Sequence, residues 1–252
     1  MARLKPISHD DQLALVDHLD ELRFRVVVAL AAFGTALALC FWQNHRLLEI
    51  VNAPLNGKQP ITLGVAEAFS TTLTISAYAA IALSLPVILW QLYAFVLPAF
   101  APNERKVAKP MMLLIPFLFI AGALFGYYVV VPSALHFLLN FNASEFNLQI
   151  RAKEYYGFFA QTVIACGIVF QVPVGVLAAT RLGIVSPEKL RKHRRHAIVG
   201  AAVIAMLLPG VDPVSMLIET VPLIVLYELS IILASVFGGK PAPDLADGAA
   251  GA

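Results

Sequence analysis

Charge is what this sequence has least of. Only 13% of its 252 residues are Asp, Glu, Lys or Arg, against roughly 25% in a soluble domain, while 59% are hydrophobic and the mean hydropathy is +0.78. A soluble globular fold is excluded. Cysteine is scarce too: Cys40 and Cys166 both lie in apolar runs, which excludes a disulfide framework or a cysteine metal site. No Walker loop, dinucleotide fingerprint, zinc-protease His-Glu-x-x-His or Gly-x-Ser-x-Gly elbow occurs, and the six histidines are scattered. No enzyme, cofactor or metal is expected. Eighteen basic and sixteen acidic residues leave a charge of +2, too balanced for a nucleic-acid binder. Period-2 alternation is rare, so the apolar surface belongs to membrane-spanning helices and not to a barrel.

The apolar runs are Phe24 to Trp42, Phe69 to Leu97, Pro110 to Val131, Gly157 to Thr180, Ala197 to Val211 and Val214 to Phe237. They predict an all-α membrane protein of six helices. The last two form a short hairpin, because the fifth run reaches only ~22 Å against a hydrocarbon core of ~30 Å. Its turn, Pro209-Gly210-Val211-Asp212-Pro213, holds both helix breakers. Pro86, Pro116, Pro173 and Pro222 lie inside the runs and should bend them, giving a curved, concave wall. Gly122-x-x-x-Gly126 allows a close helix crossing. No signal-peptide pattern precedes Phe24, so the N-terminus is expected to be retained. The six-span domain is expected to occupy 1–238, and the small polar tail 239–252 to be disordered. Lys and Arg divide between alternate connections as 14 and four. The richer side is expected to be cytoplasmic, with both termini there.

Leu15, Leu19 and Leu22 share one stripe of a segment from 10 to 23, with Asp17 and Glu21 on another face. It reads as an amphipathic helix at the membrane surface running into the first span. Glu21 stands four residues before Arg25, the spacing of a local ion pair. It also suits a receptor for an incoming arginine. Glu104 stands beside Arg105 and Lys106 in a loop stiffened by Pro98 and Pro102. By periodicity alone it is a solvated loop acid.

His18-Leu19-Asp20-Glu21-Leu22-Arg23-Phe24-Arg25, and Leu89-Trp90-Gln91-Leu92-Tyr93-Ala94-Phe95-Val96-Leu97-Pro98 running on to Asn103-Glu104-Arg105, closely resemble the signatures of the TatC family of twin-arginine translocase subunits. So do Ala53-Pro54-Leu55, Glu67-Ala68-Phe69, Phe170-Gln171-Val172-Pro173-Val174, Ser186-Pro187-Glu188-Lys189-Leu190-Arg191, Asp212 and Tyr227-Glu228. The resemblance covers almost the whole chain. It implies a receptor in the bacterial cytoplasmic membrane for folded export substrates whose signal peptides carry paired arginines. It also implies assembly with single-span TatA- and TatB-type partners, self-association, and energy from the proton-motive force.

By the same resemblance, Glu21 and Glu104 contact the signal's arginines, with Arg23, Phe95 and Arg105 around them. Gln171, Asp212 and Met216 belong to a polar interior and partner-docking surface. Pro54 and Glu67 belong to an outer-loop cap, for which structural support is the simpler role. Two departures stand out. Many relatives carry Glu where this chain has Gln171, which cannot hold a charge, and some carry Gln where it has Met216, which puts recognition of a partner's polar residue there in question. Glu219 matches no family motif and is expected to face water near the start of the sixth helix. The alternative reading is a small-solute transporter using Asp212 and Glu228 as ion or proton groups. Neither an inverted repeat nor a pair of broken helices supports it.

Overall fold

In a computed structural model, the structure describes residues 9–96, 112–145, 148–209 and 212–237. Its elements are α1 (His9–Trp42), α2 (Asn44–Asn52), a tight 3-10 turn (Ala53–Leu55), α3 (Glu67–Val96), α4 (Leu114–Phe125), a π-helical stretch (Gly126–Val130), α5 (Val131–Asn140), α6 (Ala152–Val169), α7 (Val172–Arg181), α8 (Pro187–Lys192), α9 (Arg194–Leu207) and α10 (Pro213–Phe237). Among the described residues the only strand-like pairing is one isolated bridge, between Ile61 and Arg151.

Five helical segments are long and apolar enough to cross a bilayer: Leu19–Trp42, Glu67–Val96, Leu114–Asn140, Ala152–Arg181 and Pro213–Val236. Large apolar side chains such as Phe24, Phe117 and Val221 are more than 60% exposed on them, and a soluble monomer rarely leaves so much apolar surface bare. The fifth expected run is helical over only 14 residues, as α9, or ~21 Å, and is not among the five.

Proline explains most of the boundaries. None occurs between His9 and Trp42, and α1 runs without a break through the segment expected to lie on the membrane surface and on into the first span. Pro116 and Pro173 fall in the first turns of α4 and α7, where a missing N–H costs nothing. Those two prolines therefore sit at helix starts, and the fourth span is interrupted at Phe170 and Gln171. Pro86 and Pro222 remain internal to α3 and α10. The third span passes beyond the expected end at Val131 and continues to Asn140. Pro132 cannot donate to a carbonyl four residues back, and the widened π turn just ahead of it absorbs the mismatch and lets the helix go on.

α1 packs mainly on α3, α3 and α4 on α6, α10 on α7 and on α9. The α4–α6 crossing is set by glycine. A Cβ on Gly122 would lie 2.6 Å from the Cys166 carbonyl oxygen, and one on Gly167 would lie 2.6 Å from the Phe119 ring. Gly126 is almost as tight, with Cys166 and Val163 at 3.2 Å. The Gly122-x-x-x-Gly126 motif is thus a real point of close approach. At the end of the bundle carrying α2, Val51, Leu55, Ile75, Val131, Leu135, Tyr155 and Phe159 form one buried cluster.

Gly122→Ala should therefore destabilise the folded protein by about 1–3 kcal/mol, the cost of overpacking a close contact. Gly34→Ala, with nothing within 4 Å of the new methyl, should be neutral or slightly stabilising. Unfolding of the two variants in the same detergent checks the contrast.

Candidate functional site

Three groups of predicted residues fall in separate places. The first is the corner where α1 meets the end of α3. Here Arg25 donates from Nε to Glu21 Oε1 at 3.1 Å and again from Nη2. Its Nη1 reaches Gln91 Oε1 at 3.1 Å and its Nη2 the Ala94 carbonyl at 3.2 Å. The i,i+4 pair read from the sequence is present, and it does more than brace one helix: through Arg25 it ties α1 to the last turn of α3, where a cation also meets the negative end of the helix dipole. The Glu21 and Arg25 side chains are 32% and 20% exposed. Arg23 is exposed, and Phe95 is half-buried one residue beyond Ala94. Glu104 and Arg105 lie outside the described residues, as do the tail 239–252 and the side chains of 9–18. Sequence reasoning passed over Gln91 as a site residue, although it stands inside the family signature.

The second place is the start of α10. Asp212 caps this helix: Oδ1 accepts from the Ser215 amide at 2.8 Å, with Pro213 in the first helical position as capping geometry favours. Asp212 and Glu219 are each 3% exposed and Ser215 is fully buried. Among the described residues, Asp212 Oδ2, Ser215 Oγ and Glu219 Oε1 have no hydrogen-bond partner. Glu219 therefore does not face water as expected: one helical turn beyond Ser215, its side chain points into the protein. Thr162 of α6 donates to the Pro209 carbonyl at 2.9 Å and anchors the hairpin turn. Met216 packs on the α9 side, against a cluster containing Ala201, Ala205 and Leu223. Gln171, at the break between α6 and α7, donates to the Ile115 carbonyl at 3.1 Å, which is the interhelical bridging open to an amide. Glu228 pairs with Arg194 at 2.8 Å on the surface, sixteen residues beyond Asp212 along the chain, or ~24 Å of helix.

The third place is the loop end. Glu67 opens α3, and its Oε2 accepts from the Leu63 and Gly64 amides at 2.8 and 3.0 Å. Its Oε1 accepts from Arg151 Nε at 3.0 Å. Arg151 also donates to Glu154 at 3.0 Å, and the Glu67 hydrogen bond followed by the Glu154 charge raises the guanidinium's pKa above its ordinary value. The Ile61 amide meets the Ile150 carbonyl at 2.8 Å, and the Ala152 amide the Ile61 carbonyl at 2.9 Å. Pro54 lies in the 3-10 turn that buries Leu55. Tyr155 and Tyr127 donate to the carbonyls of Val51 and Ile50 at 2.5 and 3.0 Å. Arg151 and both tyrosines were missed from the sequence, where nothing marks a partner 77 to 104 residues away.

Residues 17–222 match the family model of TatC, the Sec-independent protein translocase protein. The chain belongs to the TatC family. It is 34% identical to the Sec-independent protein translocase protein TatC of Desulforapulum autotrophicum over 240 residues, spanning 93% of this chain and 89% of that one. Against the protein of the same name from Deinococcus radiodurans it is 34% identical over 232 residues, 88% of this chain and 86% of that one. The crystal structure of a twin-arginine translocase receptor, TatC, superposes with a TM-score of 0.73 at 32% identity, covering 87% of this chain and 99% of that one. The TatC family is one of multi-pass membrane translocase proteins and not of enzymes.

A buried acid with an unpartnered oxygen burdens the fold. Glu219→Leu should raise the unfolding midpoint of the reconstituted protein, whereas Asp212→Ala, which removes a helix cap, should cost about 1 kcal/mol. Thermal unfolding followed by tryptophan fluorescence distinguishes the two signs.

Proposed function

We propose that this chain is the receptor of a twin-arginine translocation system, binding the paired-arginine signal peptide of folded export substrates. The observation that carries the reading is the Glu21 carboxylate, half-buried at the α1–α3 corner and gripped by the guanidinium of Arg25. That is the chemistry an incoming arginine would use. A planar guanidinium can bind a carboxylate through two charge-assisted hydrogen bonds, which the point charge of lysine does not reproduce. Each such bond contributes about 1.5–3 kcal/mol where shielded. Exchange of one guanidinium for another at Glu21 leaves the carboxylate paired throughout, so binding need not leave a bare charge.

In this reading Glu104 supplies the second acid for the second arginine, and Arg23, Phe95 and Arg105 form the surround. The 14 basic residues assigned to the same side repel unselected cationic segments while the two acids attract the matching pair. The six helices form a concave wall with both termini in the cytoplasm of a bacterium, in its cytoplasmic membrane. Copies of the chain associate with one another and with TatA- and TatB-type single-span subunits, which dock on the α9–α10 hairpin near Gln171, Asp212 and Met216. The loop held by Pro54 and Glu67 caps the outer end. Transport draws on the proton-motive force. The relative described as a twin-arginine translocase receptor supports this reading.

Glu21→Ala and Glu104→Ala should each abolish export of a twin-arginine reporter while leaving the protein inserted and at normal abundance. Photocrosslinking from positions 21, 95 and 104 should capture a twin-arginine peptide and lose most of the signal when both arginines are replaced by lysine. Equal capture of the two peptides would rule out guanidinium recognition.

A further inference from the structure

At the α1–α3 corner one guanidinium meets three acceptors from two helices. Glu21 Oε1 accepts from Arg25 Nε at 3.1 Å and again from Nη2, Gln91 Oε1 accepts from Nη1 at 3.1 Å, and the Ala94 carbonyl accepts from Nη2 at 3.2 Å. The carbonyl is available for a reason written in the sequence. Four residues on, where an amide would claim it in a continuing helix, stands Pro98, which has no N–H to give. The acceptors lie against three different nitrogens of a planar fork, and the single Nζ of a lysine is not placed to serve them all.

This seat is not sealed into a core. The Arg25 and Glu21 side chains are 20% and 32% exposed, and Gln91 and Ala94 are half-buried. Its present occupant comes from the same helix, four residues from Glu21, and so competes at high local concentration with any arginine arriving from outside. An outside arginine can enter only those molecules whose seat is open at that moment, and the apparent affinity falls by that fraction.

We infer that Gln91 Oε1 and the Ala94 carbonyl complete, with Glu21, the seat for one arginine of the signal peptide, and that Arg25 holds this seat closed until that arginine displaces it. The inference rests on the receptor reading above. It adds the acceptors that tell arginine from lysine and a competitor built into the chain.

The full-length chain in nanodiscs is titrated with a fluorescent twin-arginine peptide and its twin-lysine counterpart, reading anisotropy, and with ethylguanidinium or ethylammonium, reading the melting temperature. Arg25→Ala empties the seat and should tighten the twin-arginine peptide about tenfold, as for a seat open in roughly one molecule in ten, and the twin-lysine peptide much less. Arg25→Lys, which keeps a cation on Glu21 for the fold, should fall between wild type and Arg25→Ala. Adding Gln91→Met to Arg25→Ala should remove most of the gain, since one hydrogen bond to a charged group is worth about tenfold. Ethylguanidinium, and not ethylammonium, should raise the melting temperature of Arg25→Ala saturably and leave the wild type unmoved. Equal tightening of both peptides, the mark of a mere loss of positive charge, would overturn the inference, as would weaker binding by both Arg25 variants or a gain that Gln91→Met leaves intact. Normal peptide binding indifferent to all three substitutions overturns it too, while leaving the receptor reading in place. If ethylguanidinium fills the emptied seat but no form of the chain binds either peptide, the receptor reading fails and the displacement of Arg25 by a signal arginine fails with it.

Discussion

Backbone-to-backbone approach between the third and fourth spans is the constraint around which the other helices are arranged. With Gly122 against the Cys166 carbonyl and Gly167 against the Phe119 ring, α4 and α6 lie closer than any β-carbon would permit. In a bilayer, where burying apolar side chains against one another gains little over burying them in lipid, such van der Waals contact is a main source of helix association. α6 then serves α3 on its other flank, and the π turn and α5 follow from α4. Cys166 shares in the crossing through its backbone and side chain alike, which accounts for its burial without any thiol chemistry.

The polar groups follow a second rule, that a donor or acceptor away from water needs a partner. At the α1–α3 corner and at the loop end an arginine satisfies several acceptors at once, Arg25 across two helices and Arg151 across two loops. The start of α10 departs furthest from it, with three polar atoms left over among the described residues, whereas Asn52, Thr71 and Arg181 each leave one.

Much of this was legible in the sequence wherever the signal is local. Apolar runs marked the helices, the i,i+4 spacing of Glu21 and Arg25 predicted their pairing, and the glycine motif marked a crossing. The ends of spans were less legible, since Pro132 reads as a stop until a π turn is seen to accommodate it, while Pro116 and Pro173, read inside apolar runs, lie in the first turns of helices. Least legible were the partnerships of Arg151 with Glu67 and of Tyr155 with Val51, which depend on bringing two loops together. Glu219 was misjudged for the same reason: its position along the helix is local, but the face that α10 turns inward is decided by α6, α7 and α9. Family membership was readable from motifs in order, whereas residue roles depend on molecules that a single chain does not contain.

The unbroken α1 also works as a ruler. Twenty-one residues separate Glu21 from Trp42, ~31 Å of helix, which matches the thickness of a hydrocarbon core. Trp42 is highly exposed, and tryptophan favours the interfacial layer. With that ring at one boundary, the carboxylate is delivered to the other, at the depth where water gives way to acyl chains and the attraction between opposite charges steepens. A bilayer only a few ångströms thicker or thinner would draw the acid inward or lift it into solution, so membrane thickness itself sets how firmly that carboxylate holds a cation.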